Sequence, residues 1–385
     1  MKFLYPFYLL LLFTGCSKSE GENLDGNSTR LPVVSAIAYT SDQNIPNSEK
    51  EVYHYTLSAN GQAEVTEPLN TNFDIGADYL HLRRNDDKLT FFYRNSAFPD
   101  NYRFSEYFCD SGKVNWYDQI CSSAPIASSD FYPLASLENT IHITHETIDG
   151  SYHFYLNIMR GDESCERIFM GQASGVVNDY HFQSIDEKFY FYYPDSDTSR
   201  RLTQIDLQNA AITNSIEIER PFRGIITKEM IHLYLDNGVH KTISTDAFTV
   251  SNAASYTSGA ERVLAPGFTE VKLLTPDQAL IKNSIPYPSP GALSDGPAIL
   301  ELSDLSLSRG ENGFMYDLLR KAEEELMAGI NFTSYTYDPL SQTVVVGYNQ
   351  LNNEGYSGGV IYGDFEGNLK RIEPLPVSPK HLWIE

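Results

Sequence analysis

The stretch KFYFYYPD, residues 188–195, sets five aromatic residues in a row, Phe189 to Tyr193. Two structures accommodate such a run: an exposed platform for a ligand, or a strand covered on both faces. The rest of the chain decides between them. KLTFFYRN at 88–95 and SYHFYLNI at 151–158 repeat the pattern, and all three follow short polar turns, Asp186-Glu187, Asp86-Asp87 and Asp149-Gly150. Strand-like runs precede the turns (DYHFQS, DYLHLR, TIHITHE), and further runs such as RRLTQIDL at 200–207 come after. Weaker copies are VVSAIAYT at 33–40, EMIHLYLD at 229–236, QALIKN at 278–283 and QTVVVGYN at 342–349. Repeats of about four strands joined by polar turns are the pattern of a β-propeller. Its blades pack face to face, so inner strands read as continuous apolar runs. KFYFYYPD is then the second strand of a blade.

The predicted fold is all-β, a propeller of about seven four-stranded blades over residues 32–385. Second strands are expected to start near residues 33, 88, 151, 188, 229, 278 and 342. Six blades is the alternative, because 268–306 is the poorest copy. The chain enters with only three strands (33–40, 51–57, 62–67), and HLWIE at 381–385 follows a full blade. That C-terminal strand is expected to close the first blade and leave no exposed edge. On these generic strand-turn patterns the chain resembles the exported bacterial propeller proteins, TolB-like and WD40-like at the level of fold. The resemblance implies a fold and no activity.

Residues 1–15 have one positive charge, Lys2, and an apolar run from Phe3 to Phe13, which is too short to span a bilayer and matches a signal-peptide core. Phe13-Thr14-Gly15-Cys16 resembles the bacterial lipobox, with Phe13 where leucine is usual. The resemblance implies a lipidated Cys16 as the first mature residue. Ser17 in place of aspartate favours the outer membrane, so the expected location is a membrane-anchored lipoprotein of the cell envelope. Residues 16–31 are polar and rich in Gly, Ser and Asn, as a flexible tether requires.

The chain has 51 acidic and 28 basic residues, a net charge of −23. Removing Lys2 with the signal peptide leaves −24. That balance argues against nucleic acid and against anionic lipid headgroups as partners. An envelope protein or a small ligand is the expected partner. Cys109, Cys121 and Cys165 remain after Cys16, enough for one disulfide in an oxidising compartment. Cys109–Cys121 closes the shortest loop, although a tight hairpin at 110–112 would carry Cys121 out of reach; Cys121–Cys165 is the fallback.

In an antiparallel four-stranded blade, the first-to-second and third-to-fourth turns share one end, the turn face. Second-to-third loops and crossovers share the other, the loop face. Long insertions concentrate on the latter, at 41–50, 95–102, 119–138, 284–296, 307–330 and 349–357. Long loops on a rigid scaffold are where binding usually sits. Phe98, Tyr102, Phe131, Tyr132, Tyr287 and Tyr356 are the candidate binding residues there. One insertion is helical near 312–328, with Phe314, Met315, Leu318, Leu319, Ala322 and Leu326 on one side. It is expected to lie across the propeller end, or to serve as a lid or docking helix.

Catalytic motifs are poor. GYSGG at 355–359 satisfies G-x-S-x-G, but Ser357 lacks the apolar strand before it and the helix after it, and reads as a loop serine. His81, His142, His181 and His381 fall on expected first strands and are candidate channel-lining residues. Imidazoles on different blades of so wide a ring need not meet at one ion, so neither a metal nor another cofactor is expected. The functional expectation is a lipid-anchored module that binds a protein or small ligand through the loop face. The alternative is an enzyme at the central channel, a hydrolase or lyase acting on a glycan or lactone.

Overall fold

The computed structural model describes residues 30–385 except 96, 98–101, 122–133, 136–138, 174–180, 186, 196–198, 219–221, 256–263, 265–266, 270, 287–292, 309–312 and 353–354. Residues 189–193 account for the architecture. In the strand Lys188–Pro194, Phe189 to Tyr193 are all buried. Side chains alternate across a strand. Phe189, Phe191 and Tyr193 enter one apolar cluster with Phe154 and Leu156, whereas Tyr190 and Tyr192 enter another with Phe222 and Leu233. Each parity faces a different neighbouring blade, so the continuous aromatic run is an inner strand clad on both sides. Full burial of each ring contributes about 2–3 kcal/mol.

Seven sheets follow one another in this way. From axis to rim, blade one is Ser378–Ile384, Val34–Tyr39, Tyr53–Leu57 and Ala63–Val65. Blade two is His81–Asn85, Lys88–Arg94, Tyr102–Phe108 and Lys113–Tyr117. Blade three is Leu134–Ala135, Asn139–Ile148, Ser151–Arg160 and Cys165–Ala173. Blade four is His181–Ile185, Lys188–Pro194, Arg200–Asp206 and Ala211–Ile218. Blade five is Gly267–Phe268, paired parallel with Phe222–Ile226, followed by Met230–Leu235, Val239–Ser244 and Val250–Ser255. Blade six has, among the described residues, three strands, Lys272–Thr275, Gln278–Pro286 and Leu293–Glu301. Blade seven is Asn331–Asp338, Thr343–Asn352, Gly355–Gly363 and Leu369–Leu375.

The C-terminal strand pairs antiparallel with Val34–Tyr39, so the first blade is closed from the far end of the chain as expected. An apolar cluster fills each junction between consecutive blades, including that of blade seven with blade one through Val345, Val360, Ala36 and Leu57. The ring is therefore continuous through its core as well as through its ladders.

Three expectations change. In blade three the second strand is Asn139–Ile148, not the run beginning at 151; the inner strand is only Leu134–Ala135, paired with Ile141 and Thr140. Two residues leave no periodic signal, and two ten-residue strands in tandem then read as first and second. The Asp149-Gly150 turn consequently belongs to the loop face. Parts of two expected loop-face insertions are strand: 284–286 and 293–296 continue a ladder ending at Pro286↔Leu293, and 349–352 pairs with 355–358.

The helix, Gly313–Leu326, packs between blades six and seven. Blade six has only the bridge Leu300↔Leu307 where a fourth strand would stand. The helix fills that place, burying Phe314, Met315, Leu318, Leu319 and Ala322 against Leu280 and Ile299 of blade six and Val344, Val346 and Ile361 of blade seven. Gly363 permits the approach, since a Cβ there would lie 2.7 Å from Leu318. Lys321 Nζ donates to the Gly367 carbonyl at 2.8 Å, tying the helix to the third-to-fourth turn of blade seven.

Candidate functional site

The inner strands of blades one, two and seven line a half-open cavity of about 380 Å³ facing the propeller axis. Its wall carries Arg83 and Arg84 from blade two, Lys380, His381 and Trp383 from blade one, and Ser334 from blade seven. Among the described residues, no acidic one lines it. In a chain with 51 acidic residues against 28 basic, that composition is the reverse of the average surface.

Lys380 reaches the wall through an irregular ladder. Ile37 pairs with His381 and Ala38 with Pro379, so Lys380 has no partner across the sheet. Such a bulge breaks the alternation and re-aims a side chain. The ammonium donates to Ser41 Oγ at 2.6 Å and Ser378 Oγ at 3.2 Å, and lies 5.3 Å from the centre of the Tyr39 ring. Lys50, itself buried, lies 5.9 Å from the same ring. Among the described residues, no carboxylate lies within ion-pair distance of Lys380. Burial pushes its pKa down to about 8, with the Lys50 charge acting the same way. Ser41 begins the second-to-third loop of blade one, which places this end of the cavity beside the loop face.

Arg84 is anchored differently. Its Nη2 pairs with Glu385 at 2.7 Å, its Nε donates to the Asp86 carbonyl at 2.8 Å, and the guanidinium lies over Trp383 at 5.5 Å. Trp383 stacks on His381 with ring centres 5.8 Å apart and planes 11° from parallel. His381 Nε2 lies 3.0 Å from Tyr79 Oη. Burial pushes the His381 pKa down to about 4, helped by the Arg83 and Lys380 charges. At neutral pH this imidazole is a neutral hydrogen-bonding group, and the cavity's positive charge resides on Arg83, Arg84 and Lys380.

The other sequence candidates separate. His81 and His181 do lie on inner strands, in blades two and four. His81 is held at about pKa 4 by burial and Arg83. His181 sits under Gly267, whose φ of +80° and distance of 2.1 Å from ring to a would-be Cβ admit no side chain. His142 is not in the channel. It lies on the second strand of blade three, 1% exposed, edge-on to Tyr102 at 5.3 Å, and burial pushes its pKa to about 4. Tyr102 is likewise buried between blades two and three, not on a binding loop. Tyr356 is half-buried on the third strand of blade seven, opposite Leu351. Cys16, Phe98, Phe131, Tyr132 and Tyr287 lie outside the described residues. Ser357 is a strand residue opposite Gln350, with no helix after it.

The disulfide joins Cys121 to Cys165, with Cα atoms 5.5 Å apart, and replaces the expected Cys109–Cys121 pair. Cys109 is a free thiol at the end of the hairpin strand Tyr102–Phe108, packed near the junction of blades one and two, while Cys121 lies at the junction of two and three. The cationic wall escaped sequence reasoning. Its one visible sign was HLRRN at 81–85, two consecutive arginines on a strand expected to be innermost.

No family model matches the chain, and no curated protein is similar to it in sequence. Solved propellers are similar in shape. The β-propeller domain of the Trilobed protease from Pyrococcus furiosus is 8% identical, with 89% of this chain and 96% of that one covered and a TM-score of 0.47. BamB from Moraxella catarrhalis is 12% identical over 85% of each chain, with a TM-score of 0.37. The WD40 domain of Toxoplasma gondii coronin is 9% identical, covering 77% and 70%, also with a TM-score of 0.37. Likeness at this level says nothing of what the cavity holds.

Proposed function

We propose that the chain is a non-catalytic binding module of the bacterial cell envelope, held to the membrane, on the outer-membrane side, by lipid on Cys16. The observation that supports binding is the closed, disulfide-stapled ring around an axial cavity whose Lys380 end lies beside the loop face. A rigid scaffold with a preformed polar recess binds without a large ordering cost. The long ladders of 278–286 with 293–301 and of 344–352 with 355–363 run toward the same face and offer a platform for an envelope protein. The tether reading is supported by Phe13-Thr14-Gly15-Cys16 and by the polar segment to residue 31.

Membrane fractionation of the full chain beside Cys16→Ser, followed by in-cell crosslinking and mass spectrometry, tests both parts. The expected result is a membrane-bound wild type, a released C16S chain, and one stoichiometric envelope protein crosslinked through the loop face. Equal fractionation of the two chains would remove the lipid anchor. Crosslinks confined to the turn face would remove the assigned surface.

A further inference from the structure

We infer that the axial cavity is a binding site for a small organic anion, a molecule carrying a carboxylate or a phosphate group, recognised by Lys380 and Arg83. Three observations converge on it. The cavity, at about 380 Å³, falls within the range that holds small ligands. Among the described residues, three cationic side chains and no acidic one line it, in a chain whose net charge is −23. One of these cations is delivered by a bulge and is held, among the described residues, by two hydroxyls and the Tyr39 ring rather than by a carboxylate. Lys380 donates to Ser41 and Ser378 and has a third donor left to offer, since an ammonium carries three.

A half-buried cation such as Lys380 without a counterion carries a desolvation cost, and an arriving anion offsets it. The wall is arranged for that. Glu385 holds the Arg84 guanidinium and Trp383 lies beneath it, which leaves Arg84 as a fixed edge of the recess. Arg83 and Lys380 line the same recess, with His381 in the wall beside them. His381 contributes as a neutral partner, bonded to Tyr79 Oη. Ser334 supplies a hydroxyl from blade seven for the uncharged part of the molecule. Charge-assisted hydrogen bonds of this kind are about twice as strong as neutral ones. The inference concerns the axial cavity alone and stands whether or not Cys16 is lipidated.

Isothermal titration of the full chain in detergent with glucose 6-phosphate, citrate and inorganic phosphate, with glucose as the neutral control, tests it. Saturable one-site binding of at least one anion and none of glucose is expected. Lys380→Gln and Arg83→Gln should each weaken that binding about tenfold or more. Arg320→Gln, on the exposed face of the helix, should leave it unchanged. Circular dichroism and the melting temperature identify a substitution that fails to fold, in which case the other carries the test. The absence of saturable binding by all three anions overturns the proposal. Binding that is indifferent to both substitutions, or equal binding of glucose, overturns it too.

Discussion

Two of the seven blade junctions solve the same packing problem by opposite means. Between blades six and seven the missing fourth strand leaves a gap, and the helix fills it with a dry apolar face, Leu318 and Leu319 fully buried. Between blades two and three the apolar cluster is smaller, formed by Phe92, Tyr102, Phe104, Ile120, Cys121 and Met159. Buried polar groups stand beside it. His142 is nearly inaccessible, and neither ring nitrogen has a hydrogen-bond partner among the described residues. Here the Cys121–Cys165 bond crosses from the end of blade two to the outer strand of blade three. Where apolar area suffices the ring is held by packing, and where it is short a covalent link restricts the unfolded chain instead.

The comparison breaks most readily at Leu318. Leu318→Ala should cost about 4 kcal/mol in a chemical denaturation midpoint, because a rigid two-sided pocket is left empty. Gly363→Ala alone should destabilise by about 1–3 kcal/mol through overpacking. The pair together should cost less than the sum, since the new methyl enters the space vacated. Strict additivity would show that the two residues do not share a packing site.

Cys165→Ser should lower stability by roughly 2–4 kcal/mol, the effect of opening a loop with a sequence separation of 44. The same loss should follow reduction of the wild type with dithiothreitol, and reduction of C165S should add nothing. A reduced protein as stable as the oxidised one would place the strength of that junction in packing after all.

Acid should act on the polar junction more than on the apolar one. His142 is held at about pKa 4 by burial, against about 6.5 for the unfolded chain. The unfolded state therefore binds a proton that the folded state refuses, and stability falls as pH drops from about 6.5 to 4. His54 and His381, also near 4, contribute in the same direction. His142→Gln should flatten the decline by on the order of 2–3 kcal/mol while lowering stability at neutral pH, as read from melts at pH 7 and 4.5. An unchanged slope would acquit His142. The smallest effect belongs to the rim: breaking the exposed Arg320–Glu324 pair with Arg320→Ala should shift stability by less than about 0.5 kcal/mol.

Periodicity carried the architecture because every blade's second strand is covered twice, and the runs at 88–95 and 188–195 advertise that in five or six residues. It failed where an element was too short to have a period, as at Leu134–Ala135, and there it misassigned His142 to the channel. The helix was legible from its apolar stripe, but its destination was not. What it covers depends on a strand that blade six lacks, a fact of pairing between residues 300 and 307.

By itself the sequence determined an all-β ring of seven repeats, closure by the last strand, an acidic chain and a candidate lipidation site, because these are properties of local pattern and composition. Only the tertiary structure decided the cavity and the disulfide. Lys380 and Arg83 lie 297 positions apart in sequence and belong to different blades, and the closing strand brings them to one wall. The sulfur that meets Cys121 is chosen likewise by which outer strands adjoin. Pairing across a closed ring is a long-range geometric result, and no window along the chain contains it.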